Sequence, residues 1–93
     1  MIKPTIGRVV WYYQAGASHD AEPNAAIVAK VWSDTLVNLS VFDANGIGRG
    51  ETSVLLVQDG YGNPGGGSWC CWMPYQKGQA AKTEALEASL KVG

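Results

Sequence analysis

The chain has 93 residues, of which 46% are hydrophobic and 16% charged, and its formal net charge is −1. This composition is typical of one folded domain spanning residues 1–93 and excludes a disordered chain. The near-neutral charge argues against a binder of long nucleic acid, which needs a positive surface for phosphates. No apolar run approaches a membrane span and no signal peptide follows Met1, so we expect a cytoplasmic protein with no membrane partner.

Alternating apolar residues and turn signals predict five strands. The clearest is the third, in which Val37, Leu39 and Val41 alternate with more polar neighbours, and Asn45-Gly46 follows it as a tight turn. The predicted strands are residues 5–13, 25–32, 36–42, 52–57 and 69–73.

Two of these strands have a composition that bears on which side faces the core. In the first strand both faces are partly apolar, which suits a strand covered on both sides. In the second strand, Lys30 shares a face with Val28 and Trp32, whereas Ile27 lies on the opposite face. We expect the face that carries Lys30 to be the more solvated one.

The segments between the strands are rich in glycine and polar residues. A polar loop covers 14–24, a hairpin connection 33–35, a flexible glycine-containing loop 46–50, and a glycine-rich loop 58–68. The last segment is rich in Ala, Glu, Lys and Leu, which predicts a helix over 79–91. The expected fold is all-β: a five-stranded, SH3-like small antiparallel barrel with one short C-terminal α-helix.

Few residues offer catalytic or metal-binding chemistry. His19 is the only histidine and lies in a polar loop, where a solvated residue is the ordinary interpretation. Cys70 and Cys71 are adjacent, which makes a disulfide between them awkward and favours reduced thiols without a nearby activating group. Three turn acids, Asp43, Glu51 and Asp59, offer oxygen ligands but are typical of turn chemistry. We therefore expect no enzyme activity, no metal and no cofactor.

The aromatic residues are the strongest indication of function. Four Trp and four Tyr are more than so small a core needs, so part of the set is expected at the surface. There it either binds a ligand or a foreign partner, or is covered by the C-terminal helix or by another copy of the chain. Aromatic side chains can stack on a base, and Arg8 or Arg49 can pair with a phosphate. The predicted ligand- or partner-binding residues are Trp11, Trp32, Phe42, Arg49, Trp69, Trp72 and Tyr75.

Three stretches carry a resemblance to a known group of proteins. They are IKPTIGRVVWYY (2–13), VNLSVFDANG (37–46) and WMPYQKGQAAK (72–82). Together they resemble a family of small uncharacterised proteins encoded by tailed bacteriophages and prophages of proteobacteria. The resemblance implies a location in the cytoplasm of the infected bacterium, and it provides no catalytic residues to transfer.

Two kinds of small phage protein fit these expectations. The first is a non-enzymatic, self-associating counter-defence or host-interaction factor that binds a small nucleotide-like ligand or a host protein. The second is a minor virion or assembly protein of the head–tail or tail structure, which would use the same aromatic surface to pack against other subunits.

Overall fold

The computed structural model describes residues 1–17, 20–59 and 66–74. Their elements are five β-strands in a closed barrel, in the order β1-β2-β3-β4-β5. The strands are β1 Val9–Tyr13, β2 Asn24–Ser33, β3 Leu36–Phe42, β4 Gly48–Val57 and β5 Trp69–Cys71. The all-β class and the five strands are confirmed, whereas the helix predicted over 79–91 lies outside the described residues.

The barrel closes through β5. The first four strands pair antiparallel in sequence order, and β5 pairs antiparallel with β1. The pairing of β5 with β4 is parallel, so the expectation of a wholly antiparallel barrel is wrong at this one ladder. Residues 58–68 connect these two strands, a length close to the dozen or so residues that a parallel connection needs.

Strand β3 supplies the centre of the core. Its burial alternates at every position, with Val37 and Val41 fully buried and Leu39 almost so. The strand lies between β2 and β4, with which it pairs, and its buried side chains project into the core. The predicted faces of this strand are confirmed, and its bounds agree with those read from the sequence.

In the first half of strand β2, the predicted buried and exposed faces are wrong. Ala26 and Val28 are buried and Ile27 is exposed, so the expected faces are exchanged there. The register explains this: Val28 pairs with Leu39 but Lys30 already pairs with Asn38, so one extra residue interrupts the strand. Because a bulge exchanges the faces that follow it, Lys30 does lie on the outside while Val28 does not.

Two strand starts also differ from expectation. Strand β4 begins at Gly48, because the segment expected to be a flexible loop continues the ladder with β3. Strand β1 begins at Val9 instead of residue 5, because the Arg8 amide donates to the Thr5 carbonyl in a turn. Gly7 has φ +94° in this turn, a conformation that glycine adopts without strain.

The end of β4 is joined to three other segments by Gln58. Its side chain is 3% exposed and uses both polar atoms twice. Oε1 accepts from the Ile2 amide (2.8 Å) and from Trp72 Nε1 (2.7 Å). Nε2 donates to the carbonyls of Ile2 (2.8 Å) and Asp34 (2.9 Å). A buried amide of this kind is stable only when it is fully bonded, as it is here.

Candidate functional site

The structure separates the predicted binding residues into three environments. Trp69 and Trp72 are buried, Trp11 and Phe42 are partly buried, and Trp32 and Arg49 are exposed. Tyr75 lies outside the described residues. The predicted set is therefore not one continuous surface, and each group is described by its own contacts.

Trp72 is a core residue. Its side chain is 2% exposed and packs in the main hydrophobic cluster with Val10 and Leu56. Its indole nitrogen is held by Gln58, and the guanidinium carbon of Arg8 lies 5.9 Å from its ring centroid on the outer side. In this conformation Trp72 supports the barrel and presents no surface for stacking.

Trp69 forms a stacked pair with Tyr13. The two ring centroids are 4.2 Å apart and the planes are 10° from parallel, which follows from their direct pairing across β1 and β5. Both side chains are buried, and burial followed by the nearby Cys71 raises the pKa of Tyr13. This pair therefore closes the barrel and leaves neither ring open to a ligand.

Trp32 is different because 54% of it is exposed while its orientation is fixed. Its Nε1 donates to Asn38 Oδ1 at 2.9 Å, and Lys30 Nζ lies 3.9 Å from the centre of its ring. Asn38 Oδ1 also accepts from the Ser53 amide at 2.8 Å. We call Lys30, Trp32, Asn38 and Ser53 the Trp32 patch.

Irregularities in two strands bring this patch together. The extra residue of β2 turns Lys30 and Trp32 outward. A second irregularity lies opposite Asn38 in β4, where Ser53 adopts φ +53°. Positive φ is uncommon for serine, and the bond to Asn38 offsets part of its strain. The patch thus depends on features that strand alternation alone does not predict.

Trp11 and Phe42 lie on another part of the outer surface. Trp11 pairs with Ala25, and Ala25 and Phe42 both line a cavity of about 240 Å³ at one end of the sheet. We call this the acidic cavity; its lining consists of residues 22–25 and 42–44. Its lining includes two acidic residues, Glu22 and Asp43, and no basic residue.

The arginines expected to bind phosphate have other contacts. Arg49 Nε lies 3.0 Å from Glu51 Oε1, and this hydrogen bond raises the pKa of Arg49. Its guanidinium carbon is 5.7 Å from the ring centroid of Tyr12. Arg8 Nε donates to Thr5 Oγ1 at 3.2 Å. Residues 48–50, expected to be part of a flexible loop, pair with β3 as the first part of β4.

The described residues do not form a metal site, and no group of three His, Cys, Asp or Glu converges among them. Asp59 pairs with the amino group of Met1 at 2.9 Å, while Asp43 accepts from two backbone amides of its own turn. Cys70 and Cys71 are both reduced. Burial, followed by the neighbouring Cys71, raises the pKa of Cys70 to about 12, which suppresses its thiolate.

Three important residues were not among those predicted. Gln58 and Asn38 each organise contacts between segments far apart in the chain, and Lys30 covers one face of Trp32. In the sequence, Gln58 is an amide residue at the end of an apolar strand, and Asn38 is an amide residue within an alternating strand. Neither signal distinguishes a buried hub from an ordinary polar surface position.

No family model matches this chain, and searches of curated proteins and of solved structures also found no match. Within the described ranges, no helix has the length and apolar character required to cross a membrane.

Proposed function

We propose that this chain is a non-enzymatic binding protein whose partner docks on the Trp32 patch. One observation carries the proposal: Trp32 is 54% exposed and is nevertheless fixed by an asparagine and a lysine. An exposed tryptophan normally loses side-chain freedom on binding. Here part of that entropy has already been lost on folding, so less of the binding free energy is spent on ordering.

The chemistry of the patch suits a protein partner. Tryptophan is enriched among interface residues that contribute most binding energy, because it buries a large apolar area in a specific orientation. Lys30 and Asn38 would lie at the edge of the buried ring and supply polar contacts. An isolated exposed tryptophan would not provide such an arrangement.

The wider setting of the proposal comes from the fold and from the sequence resemblance. We interpret the closed five-stranded barrel as SH3-like, since its strands run consecutively and β5 returns to β1. The resemblance to small phage proteins suggests an intracellular factor that acts on a host protein in the infected bacterium. Self-association remains part of this proposal.

A nucleotide-like ligand is a second candidate at the same patch. Lys30 places a positive charge beside an aromatic surface, the combination that stacking on a base next to a phosphate requires. The patch has only this one basic residue, however, and Arg49 is already paired with Glu51. The observations therefore favour the protein partner.

The virion alternative has its own observation. Val9 and Ile27 pair directly across β1 and β2, and each is 37% exposed. A structural subunit would bury such a pair permanently against its neighbour. Mass spectrometry of purified particles distinguishes the two roles, since stoichiometric presence in virions supports a structural protein and presence only in the infected-cell lysate supports an intracellular factor.

The proposed docking role can be tested with Trp32→Ala. The purified protein is mixed with host-cell extract or with individual nucleotides, and bound species are identified by native mass spectrometry. We expect a specific protein partner whose affinity for the variant falls by more than about fivefold, corresponding to over ~1 kcal/mol. Unchanged affinity of a folded variant would remove the patch as the docking surface.

Ile47→Ala provides a matched control. Ile47 is 67% exposed and lies in the β3–β4 turn, so its truncation also removes exposed apolar area but leaves the Trp32 patch intact. The control should bind as the unmodified protein does. An equal loss in both variants would indicate non-specific hydrophobic capture and would contradict the proposal.

A further inference from the structure

Strand β4 closes the barrel with only its C-terminal end. It pairs with β3 along Gly48–Leu55, but its pairing with β5 is restricted to Leu55–Val57. Within the part of the chain that the structure describes, residues 48–52 pair with no strand on the side opposite β3. They are exposed except for Glu51, which is partly buried. We call residues 48–52 the β4 edge.

We propose that the β4 edge pairs antiparallel with the same edge of a second copy of the chain and forms a two-fold symmetric dimer. This dimer would account for the self-association included in the proposed function, on which the inference rests. The β4 edge and the Trp32 patch share no residue, so either surface can fail a test without the other. The direction of the peptide groups, the regularity of the edge and the order of its charges all favour the dimer.

The peptide groups of Gly48 and Gly50 point away from β3. The Asp43 amide donates to the Ile47 carbonyl at 3.0 Å, so this pair at the turn is a hydrogen-bonded one. Hydrogen-bonded and non-hydrogen-bonded pairs alternate along an antiparallel ladder. Arg49 therefore bonds to β3, whereas Gly48 and Gly50 direct their N–H and C=O groups to the open side. A row of such groups is a template for another strand.

The β4 edge is open and regular enough to accept a strand. A Cβ added at Gly50 would meet nothing within 4 Å, so the described residues do not crowd this position. The register with β3 runs without interruption over residues 48–51. The end of β2 differs, because register shifts occur both before Lys30 and after Val31. Irregular pairing and lysine protect an edge from strand addition, and residues 48–51 have neither.

The charges of the β4 edge are self-complementary. Arg49 and Glu51 flank Gly50 and lie on the same face of β4, with Nε and Oε1 3.0 Å apart. A two-fold axis at Gly50 places Arg49 of each copy opposite Glu51 of the other, and Gly48 opposite Thr52. Cross-strand pairs of opposite charge stabilise a sheet, whereas like charges destabilise it. This order of charges favours a second copy over an arbitrary extended peptide.

The length of the β4 edge limits the strength of the dimer. Pairing of two such short segments buries less surface than the roughly 1,200–2,000 Å² of a stable complex. We therefore expect a reversible dimer whose population rises with protein concentration. The two symmetry-related ion pairs would be partly exposed, so added salt should weaken the dimer.

Charge reversal tests the register of the dimer. The full-length protein is studied by sedimentation equilibrium over a range of concentrations. Arg49→Glu and Glu51→Arg should each weaken the homodimer at least about tenfold, because the two-fold axis converts two attractions into two repulsions. A mixture of the two variants should dimerise again, since opposite charges then face each other at both positions. Arg8→Glu, an equal reversal in the turn before β1, should leave the dimer unchanged.

Gly50→Pro tests the strand pairing without a change of charge. The Gly50 N–H points away from β3, so proline removes a donor to the second copy and none within the barrel. Gly50→Ala keeps the N–H and is the matched control. We expect a monomeric Gly50→Pro and a dimeric Gly50→Ala, both folded by circular dichroism. In the unmodified protein, the Gly50 amide should become protected from hydrogen exchange as concentration rises, while the Arg49 amide is protected throughout.

Three results would overturn the proposed dimer. They are a protein that stays monomeric at every concentration, a mixture of Arg49→Glu and Glu51→Arg that does not dimerise, and a loss in Arg8→Glu equal to theirs. A dimer that survives both single charge reversals forms through another surface and equally contradicts the inference. Trp32→Ala should remain dimeric, so loss of partner binding by that variant would leave this result unchanged.

Discussion

Trp72 and Trp32 make the same kind of hydrogen bond in opposite surroundings. Each indole nitrogen donates to a side-chain amide oxygen, at 2.7 Å to Gln58 and at 2.9 Å to Asn38. Trp72 is 2% exposed, however, and Trp32 is 54% exposed. The two residues therefore look alike in their polar contact and differ in what surrounds the ring.

This difference indicates how a small barrel can use the same residue for two purposes. At the buried position the amide satisfies a nitrogen that water cannot reach, so the bond is a requirement for burying the ring. At the exposed position water would satisfy the nitrogen equally well, so the bond to Asn38 contributes orientation more than stability. The first tryptophan supports the fold and the second is available to a partner.

The largest expected effect is the difference in unfolding free energy between variants that truncate the two tryptophans. Trp72→Ala should lower the free energy of unfolding by about 3–5 kcal/mol, because it empties part of the core and leaves Gln58 partly unbonded. Trp32→Ala should change it by less than about 1 kcal/mol. Urea unfolding followed by circular dichroism measures both. Comparable losses would show that Trp32 is also a structural residue and would contradict its assignment to binding.

A smaller effect is expected from the amide that holds Trp72. Gln58→Met keeps the length of the side chain but removes the partners of Trp72 Nε1 and of the Ile2 and Asp34 backbone groups. Unfolding free energy should fall by about 1–3 kcal/mol, the usual loss for buried polar groups left unbonded.

Asn38→Ala is the corresponding change at the exposed tryptophan. It should affect the free energy of unfolding less than Gln58→Met does, while it increases the mobility of Trp32 in time-resolved fluorescence anisotropy. Equal destabilisation by the two substitutions would mean that exposure does not determine the role of these amides.

The last effect appears only at alkaline pH and concerns the core around Trp72. Burial raises the pKa of Cys70 from 9.0 to about 12, and this thiol belongs to the same core cluster as Trp72. The folded state therefore keeps its proton where the unfolded state has lost it. The resulting stability is complete below pH 9 and is lost as the pH rises toward about 12, at no more than ~1.4 kcal/mol per pH unit.

Cys70→Ala tests this assignment, since the variant should lose that part of the alkaline decrease in unfolding free energy. The remaining decrease would come from other groups, including Tyr13, whose pKa is also raised by burial. If the variant and the parent protein lose stability in parallel between pH 9 and 11, the Cys70 thiol does not ionise on unfolding as its burial implies.

The strands with a simple pattern were predicted well. Strand β3 alternates without interruption, so its bounds and its buried face could both be read from the sequence. The Asn45-Gly46 turn was also predicted, and Gly46 has φ +82° there. A local pattern is sufficient in these cases because the conformation depends mainly on neighbours in the chain.

Strand β2 shows where local reasoning fails. Lys30 correctly marks its own position as solvated, but the extra residue before it exchanges the two faces. Extending the inference from Lys30 back to Val28 was therefore wrong. A bulge depends on pairing with β3, and no residue of β2 signals it in the sequence.

The sequence predicted some residues of the candidate sites but not the contacts that hold them in place. Trp32 and Phe42 were among the predicted binding residues, but Asn24, Lys30 and Asn38, which position them, were not. Their contacts join residues on separate strands or turns. The acidic cavity could not be predicted for the same reason, because residues 22–25 and 42–44 meet only in the folded barrel.

The sequence by itself determined the all-β class, the number of strands and the surplus of aromatic side chains, since these follow from composition and local periodicity. The tertiary structure decided which tryptophan is buried, where β2 changes face and which acidic residues line the same cavity. Those properties depend on strand register and barrel closure, through which residues distant in the chain come together. A shift of one residue in that register exchanges core and surface without any change in composition.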